Sequence, residues 1–266
     1  MMFNQIHNCD CIPGMQEKVD SDSADLIIAD PPFAIKFDGK QENYNRKKEN
    51  VIGKYKEEKV ETYDKFSVNW IKQAKRILKD SGSIFIVSGW SNLFSVLKAA
   101  ESFDPEDPED KKLTMVNHII WKYQFGVNCE KRFISSHYHI LYYCVKEKER
   151  TFNTHCRFNK DDKIGLTKRS ARYADMEDVW VIPKENWTGK MKTATKLPGE
   201  LINKMLLYVG KPGDLVVDPF SGSGQVAWFS KKNNMNYISF EEVEDICNFS
   251  RRRIDENKYL IDLKDR

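Results

Sequence analysis

The chain contains no C-x-x-C pair; its six cysteines, Cys9, Cys11, Cys129, Cys144, Cys156 and Cys247, are scattered along 266 residues. Such spacing indicates neither a disulfide framework nor a zinc ribbon. His7, Cys9 and Cys11 lie close together, yet a tetrahedral metal site needs a second ligand pair and none is suitably spaced. No metal is expected. No apolar run reaches the length of a membrane span, and no secretory leader is visible, so an intracellular protein without a membrane partner is expected. Internal repeats and low-complexity tracts are also missing; residues 104–112 are only an acidic, proline-containing loop.

Charge imbalance is small. With 43 Lys plus Arg against 40 Asp plus Glu, the net charge of +3 does not by itself reveal a polyanionic partner. Its distribution is more informative, because residues 36–59 concentrate lysine and arginine among few apolar residues. A solvated loop is the default for such a run, and phosphate contact gains force only if other features point to nucleic acid.

What the chain does have is a core. Hydrophobic residues make up 40% of it, enough for one large domain or one domain with a sizeable insertion. Strand-like apolar runs fall at residues 25–29, 83–87, 140–145, 214–217 and 236–240. Between them, Phe66, Trp70, Ile71, Ala74, Ile77 and Leu78 recur at helical spacing, and that helix is predicted to stop at Asp80-Ser81-Gly82. Leu201, Ile202, Met205, Leu206 and Val209 form a second stripe, closed by Gly210 and the Lys211-Pro212-Gly213-Asp214 turn. Alternating strands and helices predict an α/β domain with a mainly parallel sheet. Residues 36–63 and 122–192 fit that pattern poorly and read as insertions at its edges.

Two short motifs carry the chemistry. Asp30-Pro31-Pro32-Phe33 follows the apolar strand Leu26-Ile27-Ile28-Ala29 directly. Open α/β sheets bind ligands beyond the carboxyl ends of their strands. Asp30 is a fixed acceptor, each proline holds its own backbone and lacks an N–H, and Phe33 offers a flat apolar face. Together they suit an exocyclic amine on a flat ring. The Asp30 carboxylate and the Pro31 carbonyl can hold its two hydrogens while Phe33 stacks on the base. Such acceptors localise the nitrogen lone pair and stabilise the positive charge that develops as nitrogen attacks. In isolation, the same four residues are equally well a capped proline turn.

The second motif, Asp218-Pro219-Phe220-Ser221-Gly222-Ser223-Gly224, follows Leu215-Val216-Val217 and precedes a helix over residues 225–232. A strand, a glycine-rich turn and a helix form a nucleotide-binding corner, and Glu241 ends the next strand, where an acid can hold ribose hydroxyls. Asp218 would face a pyrophosphate unfavourably. It suits a cationic ligand such as S-adenosylmethionine better than NAD.

These residues closely resemble the β-group of DNA amino-methyltransferases, in which a D-P-P-Y/F catalytic motif precedes an F-x-G-x-G cofactor motif with target recognition between them. The resemblance spans almost the whole chain. It implies a Rossmann-like S-adenosylmethionine-dependent fold, with residues 1–121 as the catalytic part, including the basic insertion 36–63. Residues 122–192 would be the target recognition region and residues 193–266 the cofactor-binding part. Asn8-Cys9-Asp10-Cys11 is similar to the family's G-D-C segment, which implies Asp10 and Cys11 beside the cofactor adenine. Thr-Ala-Thr-Lys-Leu-Pro at 193–198 resembles H-P-T-Q-K-P, which implies Thr195 and Lys196 near the methionine end. Phe220, Ser221, Gly222 and Gly224 would line the cofactor, with Asp218 and Glu241 as its acidic contacts. Arg132-Phe133, His137 and Ile140-Leu141-Tyr142-Tyr143 resemble the family's R-F-x-x-x-H-E-Y-I-L stretch, with Tyr138 replacing its acid.

The resemblance therefore implies transfer of a methyl group to the N6 amine of adenine in double-stranded DNA. Base flipping would be needed, because the target atom lies inside the duplex. Aromatic residues of the inserted regions, among them Tyr44, Tyr123, Phe125, Tyr138 and Trp187, are candidates to support the base or fill its place. Cytosine N4, RNA or a protein glutamine are alternative acceptors, although enzymes for the last two usually carry the motifs in reverse order. A non-catalytic nucleic-acid-binding module is the alternative of another class. Members of the family often form dimers, which admits a homodimer. A prokaryotic or virus-infected cytoplasm, and a restriction-modification role, are the setting it implies.

Overall fold

A computed structural model describes residues 1–35, 58–123, 130–165, 173–185 and 196–258. Its strands are β1 (Gln5–His7), β2 (Ala24–Ala29), β3 (Leu78–Ser88), β4 (Thr114–Lys122), β5 (His137–Cys144), β6 (Val179–Val181), β7 (Leu215–Asp218) and β8 (Asn236–Phe240). Its α-helices are α1 (Cys11–Lys18), α2 (Tyr63–Ile77), α3 (Leu93–Glu101), α4 (Gly199–Val209), α5 (Gln225–Lys232) and α6 (Glu244–Asp255). The strands form one sheet in the order β1-β8-β7-β2-β3-β5-β4-β6. β5 runs antiparallel to both β3 and β4, and every other pairing is parallel.

Period-two alternation divides the core between the two faces of the sheet. Ile27, Ala29, Ile84, Ile86 and Val217 join one buried cluster with residues of α1, α2 and α3. Leu26, Ile28, Phe85, Val87 and Val216 join the other with Leu201, Ile202, Met205 and Leu206 of α4. Strands buried on both faces are near-continuously apolar, which is why β2 and β7 were legible as runs rather than as alternating patterns. Burying each large aliphatic side chain contributes roughly 1.5–3 kcal/mol before conformational entropy is subtracted.

Helix α2 ends earlier than its apolar stripe predicts. Leu78 is already extended (φ −66°, ψ 137°) and pairs with Ala24, so Asp80-Ser81-Gly82 lies within β3 and not in a turn ahead of it. The reason is pairing. Parallel partners are available to Leu78 in β2, and the register then shifts before Leu26 meets Ser83. Of residues 122–192, His137–Cys144 and Val179–Val181 are strands of this same sheet, and β5 sits directly beside β3. The lysine-rich residues 36–57 lie outside the described residues.

Candidate active site

Parallel pairing assembles the site. Ile27 of β2 is opposite Val217 of β7, and Val217 is opposite Ile238 of β8, so Asp30, Asp218 and Glu241 leave the sheet at the same edge. On the far side of β8, β1 places His7 opposite Phe240, and the Glu241 N–H donates to the His7 carbonyl at 2.9 Å. The segment Asn8–Cys11 is thereby brought beside Glu241, and the Asn8 amide donates to the carbonyls of Glu241 (2.9 Å) and Glu242 (3.1 Å). Asp10 caps α1 by accepting from the Ile12 N–H at 2.7 Å, and Cys11 is buried in the first turn.

The glycine-rich turn is held from several directions. Gly222 and Gly224 adopt positive φ (49° and 76°), the conformation that glycine takes without a Cβ penalty. The Ser221 N–H donates to the Phe240 carbonyl at 2.8 Å, and the Gly222 N–H donates to Glu241 Oε2 at 2.9 Å. Phe220 turns inward instead, its ring 5.3 Å from Trp70 and 6.0 Å from Phe66 of α2. It anchors the turn in the core. Behind the turn, buried Arg253 of α6 donates to the Ser223 carbonyl and, at 2.9 Å, to Gln225 Oε1. Gln225 in turn donates to the Leu197 carbonyl at 2.8 Å, and Ser250 donates to the Gly222 carbonyl at 2.7 Å. None of these helix residues belongs to a recognisable motif, because each is a single polar residue whose role comes from tertiary contact.

The electrostatics favour a cationic ligand. Asp218 is 2% exposed, and the Phe220 N–H donates to its carboxylate at 3.0 Å. Burial pushes its carboxyl well above the ordinary range, and the nearby Asp30 and Glu241 carboxylates push it further. Glu241 is raised by burial to about 7, against the N–H groups of Val243 and Gly222, which lower it. Acidic groups crowded so closely are costly unless positive charge joins them. Among the described residues, Ser221 Oγ is buried without a hydrogen-bond partner, and a Cβ on Gly222 would meet no atom nearer than the Phe220 carbonyl at 4.0 Å. A cationic nucleoside with hydroxyls to share, such as S-adenosylmethionine, fits this donor and acceptor set.

At the corner formed by residues 196–199, Lys196 is ion-paired with Glu185, whose other oxygen accepts from the Gly199 N–H at 2.7 Å and so caps α4. Thr195 lies outside the described residues, as do Tyr44, Phe125 and Trp187. Across β2, the Phe33 ring meets Tyr138 edge-on, with centroids 5.3 Å apart. Tyr138 also neighbours Trp121 (5.5 Å) and Tyr123 (5.1 Å), and the Lys184 ammonium lies 3.9 Å from the Tyr123 ring centroid. An aromatic wall with one cation on it therefore borders Phe33. His137 is exposed and stands 5.2 Å from His139, away from that wall.

The family model for DNA methylases of the N6/N4 type matches residues 24–252. Type II methyltransferase M.HinfI of Haemophilus influenzae is 28% identical over 96% of this chain and 69% of its own length. M.BamHI of Bacillus amyloliquefaciens is 27% identical over 90% of this chain and 54% of its own length. M.HpaI of Haemophilus parainfluenzae is 26% identical over 90% of this chain and 70% of its own length. Among solved structures, M1.HpyAVI in complex with SAM superimposes with a TM-score of 0.61 at 16% identity, covering 94% of this chain and 98% of that one. The cytosine-N4-specific PvuII DNA methyltransferase gives 0.65 at 14% identity, covering 94% and 85%. At such identities the structures speak for the fold alone, which is that of these methyltransferases. The match across residues 24–252, joined to the two motifs at one sheet edge, shows that the chain belongs to the N6/N4 family of DNA methylases, whose methyl donor is S-adenosylmethionine.

Proposed function

We propose that this protein methylates the N6 amine of adenine in double-stranded DNA, after the base has been extruded from the duplex. The observation that carries the reading is the position of Asp30 and Phe33 at the end of β2, beside the acidic glycine-turn corner and against an aromatic wall. Asp30 and the Pro31 carbonyl accept the amine hydrogens, and Phe33 stacks on the base. In that position the nitrogen lone pair would form the new N–CH3 bond while the methyl–sulfur bond of the donor breaks to leave a neutral thioether. The proton then lost from the amine would pass to water. S-adenosylmethionine supplies the activated methyl group. Asp30 needs only to orient the amine and disperse its developing charge, and no covalent enzyme species is required.

On this reading Asp218 receives the amino group of the cofactor, Glu241 its ribose hydroxyls, and Asp10 and Cys11 border its adenine. Ser221, Gly222 and Gly224 let it approach the backbone, and Phe220 holds their turn in place. Thr195 and Lys196 flank the methionine end, with Glu185 already neutralising the lysine. Residues 1–121 and 193–266 form the catalytic and cofactor-binding parts, residues 122–192 carry target recognition, and the lysine-rich insertion at 36–63 adds phosphate contacts. A prokaryotic or viral restriction-modification setting and a homodimer accompany this reading, and sedimentation of the purified chain tests the dimer.

An aspartate at the head of the motif favours adenine over cytosine in enzymes that this chain resembles, while the cytosine-N4-specific structural neighbour keeps cytosine as the second reading. Incubating unmethylated DNA of varied sequence with the protein and S-adenosylmethionine, then analysing nucleosides by mass, separates them. N6-methyladenine supports the first reading, and N4-methylcytosine replaces it with the second.

A further inference from the structure

The D-P-P-F segment cannot support itself. Pro31 and Pro32 lack N–H groups, so the segment leaves the β2 ladder after Ala29, and its carbonyls must find donors elsewhere. Two elements distant in sequence provide them. Tyr63, the first residue of α2, donates its hydroxyl to the Pro32 carbonyl. Asn92, at the N-terminus of α3, donates its amide to that hydroxyl at 2.9 Å. The Asn92 side-chain carbonyl accepts from Ser88 Oγ and from the Gly89 N–H, both at 2.9 Å, which fixes the amide's direction. Ser91 donates to the next carbonyl, that of Phe33, at 2.5 Å.

Tyr63 and Asn92 are 2% and 0% exposed. A buried hydroxyl and amide carry a desolvation cost that phenylalanine and leucine would avoid, so a fully bonded pair at this place has a geometric use. The geometry around it agrees. Ala34, immediately after the motif, is held at φ 54°, a region that a non-glycine residue enters at a cost. Gly89 lies so close to Phe33 that a Cβ there would come within 2.8 Å of Phe33 Cδ2. The chain is turned sharply behind the motif, and the Phe33 ring is pressed into one place.

We propose that Tyr63, oriented by Asn92, is a positioning residue for methyl transfer. By holding the Pro32 carbonyl it sets the direction of the preceding Pro31 carbonyl relative to Asp30, and with it the aim of the two acceptors on the amine. This inference rests on the amine-methylation reading above. The polar contacts of the pair run to the Pro32 carbonyl, Ser88 and Gly89. Removing only the hydroxyl keeps the ring contacts that link Tyr63 through Phe66 to Phe220, so the change falls on the acceptor geometry and spares the cofactor corner.

The test uses the full chain and Tyr63→Phe, which keeps the ring and its 5.6 Å contact with Phe66. Single-turnover methyl transfer to DNA that the wild-type chain methylates is compared with S-adenosylmethionine affinity measured by calorimetry. The expected rate constant is between about tenfold and a hundredfold lower, the scale of small misalignments of reacting groups, with cofactor affinity unchanged. Ser91→Ala, at an exposed position that threatens folding least, should slow the same step more mildly. Wild-type rates in both folded variants, or a loss explained by weaker cofactor binding, would overturn the proposal. A wild-type chain that methylates no DNA overturns the underlying amine-methylation reading instead, and the proposal with it.

Discussion

At the scale of single residues, the proposed function gives Asp30 and Glu241 different work, on the amine and on the cofactor. Asp30→Ala removes the carboxylate aimed at the amine and leaves the glycine turn untouched. Turnover should fall below detection in a radiolabel-transfer assay while calorimetry shows S-adenosylmethionine still bound, and wild-type turnover would refute the mechanism. Glu241 has a pH signature. Its carboxyl is raised from 4.5 to about 7, so between those values the folded chain holds more protons than the unfolded chain. Its contribution therefore makes the unliganded protein less stable as pH rises through that window. A cationic cofactor favours the ionised form, so its affinity should rise over the same range. Glu241→Gln should flatten that profile without abolishing it, because burial raises Asp218 in the same sense. Binding titrations at about pH 5.5 and about pH 8 check this, and a flat wild-type profile would contradict it.

At the scale of elements, the turn after β7 depends on a helix far along the chain. Arg253→Leu deprives the Ser223 carbonyl and Gln225 of a charged donor in a fully buried place. Urea denaturation should show a loss of about 3 kcal/mol, and cofactor affinity should fall with it. Unchanged stability would mean that the turn is held without Arg253. The contrast between this contact and the motifs explains what was legible in the sequence. Asp30–Phe33 and Asp218–Gly224 were visible because each is contiguous and follows an apolar strand. Tyr63, Asn92, Ser250 and Arg253 were not, because each is one polar residue on an ordinary helical segment and acquires its role only through tertiary contact. Strand β4 was missed for a related reason. His118 faces away from the Ile119 and Trp121 side while Asn117 lies on that side, and together these two polar residues break the apolar run that marks a buried strand. The spacing of Leu78 fits a helix, and its pairing with Ala24 places it in β3 instead.

At the scale of the whole molecule, the sheet order carries both motifs to one edge although nearly two hundred residues separate them in the chain. β2 and β7 are neighbours, and the Asp30–Phe33 and Asp218–Gly224 corners are therefore neighbours as well. The mainly parallel architecture was readable from alternating strands and helices. The placement of β5 between β3 and β4 was not, because pairing partners are a property of the assembled sheet. A molecule of nearly balanced charge that works on DNA must concentrate its cations locally, so binding should weaken steeply with salt through the phosphate contacts. The most direct measurement is mass analysis of nucleosides from DNA incubated with the protein and S-adenosylmethionine, with Asp30→Ala alongside. The predicted result is N6-methyladenine that depends on Asp30. DNA of varied sequence without any amine-methylated nucleoside, or equal methylation by the Asp30→Ala chain, would contradict it.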